Sequence, residues 1–450
     1  MEAEIHGDLT LQDLLAASRT LTGRSRLAAT RAPVSLLRRL SNVDAPDLLM
    51  ALRVLRNLCA GEAANQNAFV AHGGASVVAS ILSSPDATLD VLRVGLQLLG
   101  NVALAGEEHC SAIWVAFFPS MFLELARVRE SGVCDPLCMV LDTCCSSKGG
   151  RWRTRELCQE KEELLILFEI IVTASTVGYQ EEWLEWLIAK LCIEEPFFLS
   201  LFLKLGSNAD DEGSAEGKYS TMQAFLLNLL SKCLSERPVD YSISSAFVLS
   251  ILELLKEASN VVDFSSRGTS LPTGFPAIDV LGYSLMILRD ACAAEAPVDS
   301  LLSAGLVNLV LDLLEQLEPP SLVRRSMANT GGRVIQTEGK RVCPYRGFRR
   351  DLVSVISNCL NGRKQVQDEV RKMNAIPLLL QQCVIDDDNP FLREWGLLAV
   401  RNLVEGNAEN QCELAEFHLL EAVNTHEISE LGLKAEIEKI SGHIKLVNIS

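Results

Sequence analysis

The stretch AVRNLVEGNAENQ, which runs from Ala399 to Gln411, determines how the rest of the chain is interpreted. A similar stretch, VLRNLCAGEAANQ, runs from Val54 to Gln66, about 345 residues earlier. In both copies an Asn is followed four residues later by Gly, and four residues after that by an Asn-Gln pair. An apolar run that stops at Gly is typical of a helix end. Its recurrence indicates that one structural unit is repeated along the chain.

The Asn of this motif recurs at a regular spacing where the motif is strongest. Asn57 and Asn101 are 44 residues apart, and so are Asn358 and Asn402. After strong copies comes a turn followed by Leu, Val and Ile at helical spacing, as in AHGGASVVASIL. Weaker copies of the motif are centred on Asp142, Lys190, Asn228 and Asp290.

Units of this length indicate a particular class of fold. Repeats of about 40–47 residues with two or three helices are typical of armadillo and HEAT proteins. One such unit cannot bury its apolar face alone, so neighbouring units stack and share a core. The sequence therefore predicts an all-α fold, an armadillo/HEAT-like α-solenoid in which about eight helical repeats form a right-handed superhelix.

The chain is predicted to have two parts. Residues 1–345 form an armadillo-like repeat array with inserted loops near 205–220, 264–276 and 318–346. Residues 347–447 form C-terminal repeats and a cap. The inserts are rich in Ser, Gly, Pro or Arg, and such composition favours loops.

The composition excludes several classes of protein. Hydrophobic residues make up 48% of the chain and charged residues 22%, which excludes a disordered protein. The net charge of −17 disfavours nucleic acid as a partner, because its phosphates repel such a surface. No apolar run free of charge reaches the roughly 18 residues that a membrane span needs, so we expect no membrane insertion.

The cysteine usage bears on the cellular compartment. The chain has 14 cysteines, many of them in apolar helical contexts, and its start does not resemble a secretory signal. We therefore expect reduced thiols and a cytoplasmic location, with the nucleus as an alternative. The dense group around Cys134, Cys138, Cys144 and Cys145 does not fit the spacing of zinc sites, so no metal or cofactor is predicted.

The last hundred residues resemble a known family. The segment from Gly347 to Gln411 contains the phrase IPLLLQQC, an acidic turn before NPF, the triplet REW, and RNL followed by Gly and Asn-Gln. In these motifs it resembles the C-terminal domain of the ataxin-10 family, and it is expected to be a plant-type member. The resemblance implies an armadillo-like solenoid of cytoplasmic proteins linked to protein–protein interaction, cell division (cytokinesis) and signalling. It brings no catalytic residue.

The repeated Asn residues have two interpretations. In armadillo solenoids related to nuclear-import adaptors, Asn side chains at this helix position line the concave groove and hold the backbone of an extended peptide. Alternatively, an Asn near a helix end stabilises the turn. The import adaptors place Trp four residues before the Asn, where this chain has Arg53, Gln97, Ser354 and Leu398. The candidate protein-binding residues are Arg56, Asn57, Asn101, Asn358, Glu394, Trp395, Arg401 and Asn402.

Other residues near these motifs are assigned structural roles. Asn389 is predicted to be the N-cap of a helix with Pro390 at its first position, and the three Asp residues before it favour that helix end. Trp395 is expected in the inter-repeat core, with an exposed binding role as the alternative. Trp183 and Trp186 are also expected in the core.

The insert from Pro319 to Arg350 is strongly basic, with eight Arg or Lys residues against the single acid Glu338. It is interpreted as a flexible, solvated loop, or alternatively as a docking or regulatory segment. The residues proposed for that regulatory role are Arg324, Arg325, Ser326 and Arg333.

No catalytic motif stands out, so the sequence predicts that the protein is not an enzyme. The leading functional hypothesis is a scaffold or adaptor that binds other proteins along a concave solenoid surface. The alternatives are a receptor for basic peptides, similar to an import adaptor, and a regulatory subunit of an enzyme. The sequence leaves the partner and the oligomeric state open.

Overall fold

The protein is described from a computed structural model of the 450-residue chain. Its contacts divide the chain into two compact units. Unit 1 comprises Met1–Asp263 and Leu271–Ala304, and unit 2 comprises Phe264–Ser270 and Gly305–Ser450. The residues that the structure describes are 10–30, 32–40, 45–159, 164–206, 218–237, 241–265, 269–293, 298–329, 340–417, 426–430, 432–437 and 444–448.

Unit 1 is built from helices. A π-helical turn, Lys190–Glu194, directly follows α13. The α-helices in the described part of unit 1 are α1 (Leu11–Ser18), α2 (Leu21–Ala29), α3 (Ala32–Leu40), α4 (Ala45–Leu58), α5 (Ala63–Ala71), α6 (Gly74–Leu82), α7 (Leu89–Ala103), α8 (Glu107–Phe117), α9 (Ser120–Ala126), α10 (Ser131–Ser146), α11 (Arg151–Leu157), α12 (Leu164–Val177), α13 (Trp183–Ala189), α14 (Phe198–Gly206), α15 (Thr221–Glu236), α16 (Ser245–Val261), α17 (Pro276–Ala293) and α18 (Val298–Ser303).

Unit 2 is also mainly helical. It ends in an antiparallel hairpin of β1 (Leu433–Ile437) and β2 (Ile444–Asn448), paired from Leu433 opposite Asn448 to Ile437 opposite Ile444. The all-α helical-repeat prediction is confirmed, apart from this hairpin. The helices in the described part of unit 2 are α19 (Leu306–Gln316), α20 (Ser321–Asn329), α21 (Phe348–Leu360), α22 (Lys364–Lys372), α23 (Ile376–Leu380), α24 (Leu392–Val404), α25 (Ala408–Glu416) and α26 (His426–Glu430).

Local sequence signals explain where several helices begin. Thr10 starts α1 and Ser220 starts α15, each through a capping box, with Asp13 and Gln223 respectively as the reciprocal partner. Gly305 precedes α19 with φ 85°, a left-handed conformation that costs little only for Gly. The predicted turn before the Leu/Val-rich run of α19 therefore depends on this Gly.

The helices of unit 1 lie in two rows. In one row α1, α4, α7, α10, α13, α15 and α17 pack against one another in that order. In the other, α9, α12, α14, α16 and α18 do the same. Leu98, Leu141 and Leu226 of the first row and Ile170 of the second are fully buried, so an apolar core lies between the rows. The first row contains the repeated Asn motif, and we call it the motif row. In unit 2 the helices that contain this motif are α21 and α24, which also pack together.

A short segment that lies in sequence between the two parts of unit 1 belongs to unit 2. The ring of Phe264 lies 5.8 Å from that of Phe348, and its main-chain oxygen accepts a hydrogen bond from the N–H of Val342 at 2.9 Å. The guanidinium of Arg341 lies 4.7 Å from the centre of the Phe264 ring. The predicted loop near 264–276 is therefore packed at its start.

The basic insert also differs from the predicted loop. Within 318–346, residues Ser321–Asn329 form α20, and Leu317 pairs with Arg341 in an isolated β-bridge. The loop was predicted from composition alone. Two prolines, Pro319 and Pro320, directly precede a run able to form a helix, and Pro is favoured at a helix start. Most of the insert predicted near 205–220 falls on residues 207–217, outside the described residues.

Candidate functional site

The repeated Asn residues connect neighbouring helices of the motif row. Asn101 donates from Nδ2 to the main-chain oxygen of Arg56 at 2.9 Å. In unit 2, Asn402 donates in the same way to the main-chain oxygen of Ser357 at 3.0 Å. Each acceptor lies 45 residues before its donor, directly before the Asn of the preceding repeat. The Asn of the motif therefore stabilises the stacking of adjacent repeats.

The Asn-Gln pair of the motif binds the end of the preceding helix. Asn65 donates to the main-chain oxygen of Leu58 at 2.8 Å, and Gln66 donates to that of Cys59 at 2.9 Å. Carbonyl groups at a helix end lack helical N–H partners, and these side chains supply them. Gln66 also donates to the main-chain oxygen of Asn101 at 2.8 Å, which adds a second bond between repeats.

The C-terminal copy of the motif uses the same contacts. Asn410 donates to the main-chain oxygen of Leu403 and Gln411 to that of Val404, both at 2.8 Å. Gly406, with φ 67°, makes the turn between the two helices. The geometry thus explains why the string recurs: it closes one helix and holds the next against it.

Two predicted binding residues, Arg56 and Asn57, lie half-buried on α4. Arg56 donates to Oε1 of Gln97 at 2.7 Å and to Oδ1 of Asn57 at 3.1 Å. Burial, followed by the nearby charges of Arg53 and Arg93, lowers the pKa of Arg56. This part of the motif row is therefore basic, in a chain whose net charge is −17.

The predicted Asn contacts with a peptide are limited by burial. Asn402 is only 5% exposed, and its donor group already binds Ser357, so it is not available to a partner. Asn101 is half-buried, and its donor group is engaged in the same manner. Asn358 is also half-buried, and its main-chain oxygen accepts a hydrogen bond from Arg363 at 2.9 Å. The repeated Asn residues act first in stacking.

The remaining predicted residues lie on the exposed face of α24. Glu394 and Arg401 are both exposed, and the Arg401 side chain is 72% exposed. Phe391, directly before the helix, is 68% exposed, and Leu397 is 55% exposed. Trp395 is half-buried, so neither the core nor the fully exposed interpretation describes it. The spacing of Glu394, Leu397 and Arg401 places them along one face of the helix. Together with the exposed Phe391, directly before the helix, we call these residues the α24 surface.

The start of α24 differs from the prediction. The helix begins at Leu392, and its N-cap is Phe391 with φ 64°, so the assignment of Asn389 as N-cap and Pro390 as first helical residue is wrong. Asn389 is buried and accepts a hydrogen bond at Oδ1 from the main-chain N–H of Arg349 at 3.0 Å. This contact with α21 holds Asn389 away from the helix start.

The tryptophan pair on α13 also departs from expectation. Trp186 is 48% exposed rather than in the core, and Trp183 is half-buried. The buried charged residue on this helix is Glu185, whose carboxylate pairs with Lys232 at 2.7 Å and Arg237 at 3.0 Å. Because this buried carboxylate requires its cationic partners, α13 turns Glu185 inward and Trp186 outward.

The regulatory residues proposed for the insert are placed only in part. Arg324 and Arg325 lie on α20, and Nη1 of Arg324 pairs with Oε2 of Glu318 at 2.6 Å. Ser326 lies on the same helix. Arg333 lies outside the described residues.

The dense cysteine group lies in the helix core. Cys134, Cys138, Cys144 and Cys145 are buried on α10, and burial raises the pKa of Cys145 to about 12. In the described part of the chain, no group of three or more His, Cys, Asp or Glu side chains is arranged to hold a metal ion.

Sequence reasoning missed Phe391 and Leu397, although one signal was present. The buried positions of α24 include Leu392, Gly396 and Ala399, which recur at helical spacing. A helical projection of this stretch would have placed Leu397 on the opposite side. The exposure of Phe391 had no such signal, because it depends on a left-handed residue before the helix.

The stacked helices and their inter-repeat amide bonds define an α-helical repeat protein. Residues 348–447 match the family model described as "Spinocerebellar ataxia type 10 protein domain". Ataxin-10 of Macaca fascicularis is 27% identical over 398 residues, which cover 85% of this chain and 78% of that protein. Ataxin-10 of Bos taurus is 27% identical over 397 residues with the same coverage. The family model and these relatives support the ataxin-10 family for this chain.

Among solved structures, the chain is similar to an engineered protein, with a TM-score of 0.37 and 15% sequence identity. The similarity covers 87% of this chain and 84% of that protein.

The ataxin-10 family and the helical-repeat fold fit a non-enzymatic scaffold and suggest protein partners. The plant-type assignment stays a prediction. In the described residues, no single helix has the length and apolar character to span a membrane. The helices α8 and α9, bent by 80° at their junction, reach that length and apolar character only when they are counted together.

Proposed function

We propose that this protein is a non-enzymatic scaffold that binds another protein through the α24 surface. The observation that supports the proposal is the exposure of two large apolar side chains, Phe391 directly before α24 and Leu397 on the helix face that carries Glu394 and Arg401. Exposed apolar side chains bordered by charged groups are typical of interaction surfaces, where aromatic and Arg residues supply much of the binding free energy.

A folded protein or a helix suits this surface better than a basic peptide. The α24 surface combines apolar groups with charges of both signs, which suits a partner of mixed character. On the motif row of unit 1, the cluster of Arg53, Arg56 and Arg93 would repel a basic peptide. These charges favour the scaffold over the receptor for basic peptides.

The cellular role is part of the same proposal. The ataxin-10 resemblance implies a function in cell division or signalling, and we extend the proposal to such a role in the cytoplasm. A partner identified at the α24 surface would specify which of these processes the protein serves.

The proposal is tested by capturing partners with the purified chain and a variant that carries Phe391→Gly and Leu397→Ser. A partner enriched by the wild-type chain is then purified and titrated against both proteins. The expected result is a loss of affinity of about tenfold or more, as for residues that dominate an interface.

The matched control carries Leu199→Ser and Leu203→Ser. These residues are 47% and 61% exposed on α14 of unit 1, so the control removes a similar exposed apolar area elsewhere. The control should bind the partner like the wild-type chain. Equal affinity of the wild-type chain and the α24 variant would show that the partner binds elsewhere.

A further inference from the structure

A small cavity in unit 2 lies where the ends of the basic insert meet the turn before α24. Its volume is about 70 Å³. One side is formed by the start of α20 with Pro320 and Ser321, and another by Arg341–Arg349. The remaining side is the turn that contains Asp386, Asp388 and Asn389. Four guanidinium groups and three carboxylates line it: those of Arg324, Arg341, Arg346, Arg349, Glu318, Asp386 and Asp388.

Arg349 is the most unusual residue of this cavity. It is only 4% exposed, and its side chain donates to two neutral acceptors, Oε1 of Gln382 at 3.2 Å and the main-chain oxygen of Glu318. Its Nε–H is buried without a hydrogen-bond acceptor. Burial lowers the pKa of Arg349, but a guanidinium stays protonated in proteins. The charge of Asp386 acts on this guanidinium from nearby, but the hydrogen bonds of Arg349 go to neutral acceptors, and a buried cation with an unused donor is costly unless an anion completes the site.

The carboxylates at the cavity are engaged by other groups. Glu318 pairs with Arg324 at 2.6 Å. Asp386 holds its own turn, because its carboxylate accepts hydrogen bonds from the main-chain N–H of Asp388 at 3.0 Å and from Nδ2 of Asn389 at 3.2 Å. Asp388 likewise has a partner in the structure. These carboxylates therefore do not accept a hydrogen bond from Nε of Arg349.

Two further cations extend the positive side of the cavity. Arg346 donates from Nη2 to the main-chain oxygen of Asp387 at 3.2 Å, and Arg341 lies over the ring of Phe264 at 4.7 Å. Both contacts are with uncharged groups. They do not neutralise the two guanidinium groups, whose positive charges can therefore attract an anionic ligand. The N-terminus of α20, at Ser321, adds the positive end of a helix dipole.

We propose that this cavity binds a phosphate group through Arg349, with Arg341 and Arg346 as further cationic contacts. A planar guanidinium matches the geometry of phosphate oxygens, and a cavity of about 70 Å³ has room for roughly two water molecules, or one small oxyanion in their place. Inorganic phosphate and a phosphorylated side chain share this chemistry. The inference does not depend on the α24 surface.

The test uses the purified full-length chain. Inorganic phosphate is titrated into it by calorimetry, with chloride at equal ionic strength as the reference. The expected result is saturable binding of one phosphate per chain, and no saturable binding of chloride. Absence of saturable phosphate binding in the millimolar range, together with no binding of a phosphopeptide, would overturn the proposal.

Two variants identify the site. Arg349→Gln is expected to weaken phosphate binding about tenfold or more, as is typical when a charge-assisted contact is lost. Because Arg349 is buried and its loss can affect folding, Arg346→Gln at the cavity rim is the second variant, with unchanged circular dichroism as the check. The control is Arg127→Gln, an Arg of unit 1 whose side chain is 54% exposed. Wild-type affinity in a folded Arg346→Gln and in Arg349→Gln would show that the phosphate binds elsewhere.

A further comparison distinguishes the two sources of the phosphate group. A short phosphoserine peptide and its unphosphorylated form are titrated into the same chain. Binding of the phosphopeptide that is tighter than that of inorganic phosphate, and that is weakened in Arg346→Gln, supports a phosphorylated protein as the ligand. Binding of inorganic phosphate alone, with the same dependence on Arg346, supports free phosphate.

Discussion

At Asn402 a single side-chain amide satisfies a main-chain carbonyl of the neighbouring repeat. The residue is 5% exposed, and its Nδ2 also lies 3.4 Å from Oγ of Ser357. Replacing it would leave the Ser357 carbonyl buried without this donor. A buried side-chain amide at such a position therefore contributes to the free energy of unfolding by satisfying a main-chain carbonyl.

The substitution Asn402→Ala tests this role. It is expected to lower the free energy of unfolding by about 1–3 kcal/mol, because a buried acceptor loses its partner. Urea unfolding followed by circular dichroism measures the change. Gln365→Ala, at an exposed position of α22, is the control and should be close to wild type. Unfolding of both variants at the same urea concentration would contradict the role.

A second residue-scale feature is the ion pair of Glu107 with Arg153. Arg153 is fully buried, whereas the Glu107 side chain is 39% exposed. The hydrogen bond from Arg153, helped by Ser147 and the N–H of Gly149, lowers the pKa of Glu107 from 4.5 to about 2. Because the folded-state pKa lies below the unfolded one, the stabilisation is complete above pH 4.5 and is lost as the pH falls towards 2.

We therefore expect Glu107→Gln to reduce stability at pH 7 by about 1–2 kcal/mol, a range that allows for solvent screening at the partly exposed carboxylate. The difference from wild type should shrink as the pH is lowered from 4.5 to 2. Thermal unfolding at a series of pH values measures it. Glu108→Gln, at the exposed neighbouring position, is the control. A difference that stays constant with pH would exclude the ion pair as its source.

At the scale of elements, the start of α24 combines exposure with strain. Phe391 has φ 64°, a conformation that is unfavourable for a residue with a large side chain. Its ring is 68% exposed, so little packing compensates for the strain. Strain that persists at an exposed aromatic residue is consistent with a functional role of the side chain.

Phe391→Gly is therefore expected to raise the free energy of unfolding, by about 0.5–1 kcal/mol, because Gly adopts this φ without strain. Chemical denaturation of the two proteins measures the change. The same substitution should weaken partner binding if the α24 surface is the interface. Leu397→Ser, which has no such strain to relieve, should not stabilise the chain. A destabilised Phe391→Gly variant would show that the ring contributes more through packing than its exposure indicates.

The helical elements and the C-terminal ends of α4 and α24 could be predicted from the sequence, whereas the start of α24 could not. The repeated Asn and Gly marked α4 and α24 because a helix end needs side-chain donors and a left-handed turn. The assignment of Asn389 as a cap failed because its side chain is used by α21, a contact with a residue 40 positions away. The hairpin of β1 and β2 was missed because its strands are only five residues long.

At the scale of the whole molecule, the units do not follow chain order. Phe264 belongs to unit 2, although residues 271–304 that come after it belong to unit 1. Its packing against Phe348 and beneath Arg341 depends on partners about 80 residues later. Sequence periodicity cannot reveal such a pairing, since the segment contains no repeat of its own. The predicted division at residues 345 to 347 stays a prediction.

Phe264→Ala should therefore destabilise unit 2 by about 3 kcal/mol, the usual cost of removing a buried aromatic ring. Amide hydrogen exchange should become faster in residues 340–360 and stay unchanged in α10 of unit 1. Phe275→Ala is the matched control, because Phe275 is 60% exposed and belongs to unit 1. Faster exchange in both regions would indicate that the two units unfold together.

The candidate site residues were predictable only in part. Glu394 and Arg401 were proposed because they belong to the recurring or family-like motifs, and the structure places both on an exposed face. Asn402, in the same motif, is buried, since it faces the preceding repeat. The buried charge of Arg349 gave no signal in the sequence, where it was one of many Arg residues in a basic insert.

The amide bonds between repeats bear on how the array can change in length during evolution. Donor and acceptor are separated by 45 residues in both units, and the motif Asn residues by 44. Duplication or deletion of one whole 44-residue segment brings an Asn opposite an equivalent carbonyl, so the new junction forms the same bond. A change of any other length places the donor out of register with that carbonyl. Recombination between the repeats is therefore tolerated in whole units.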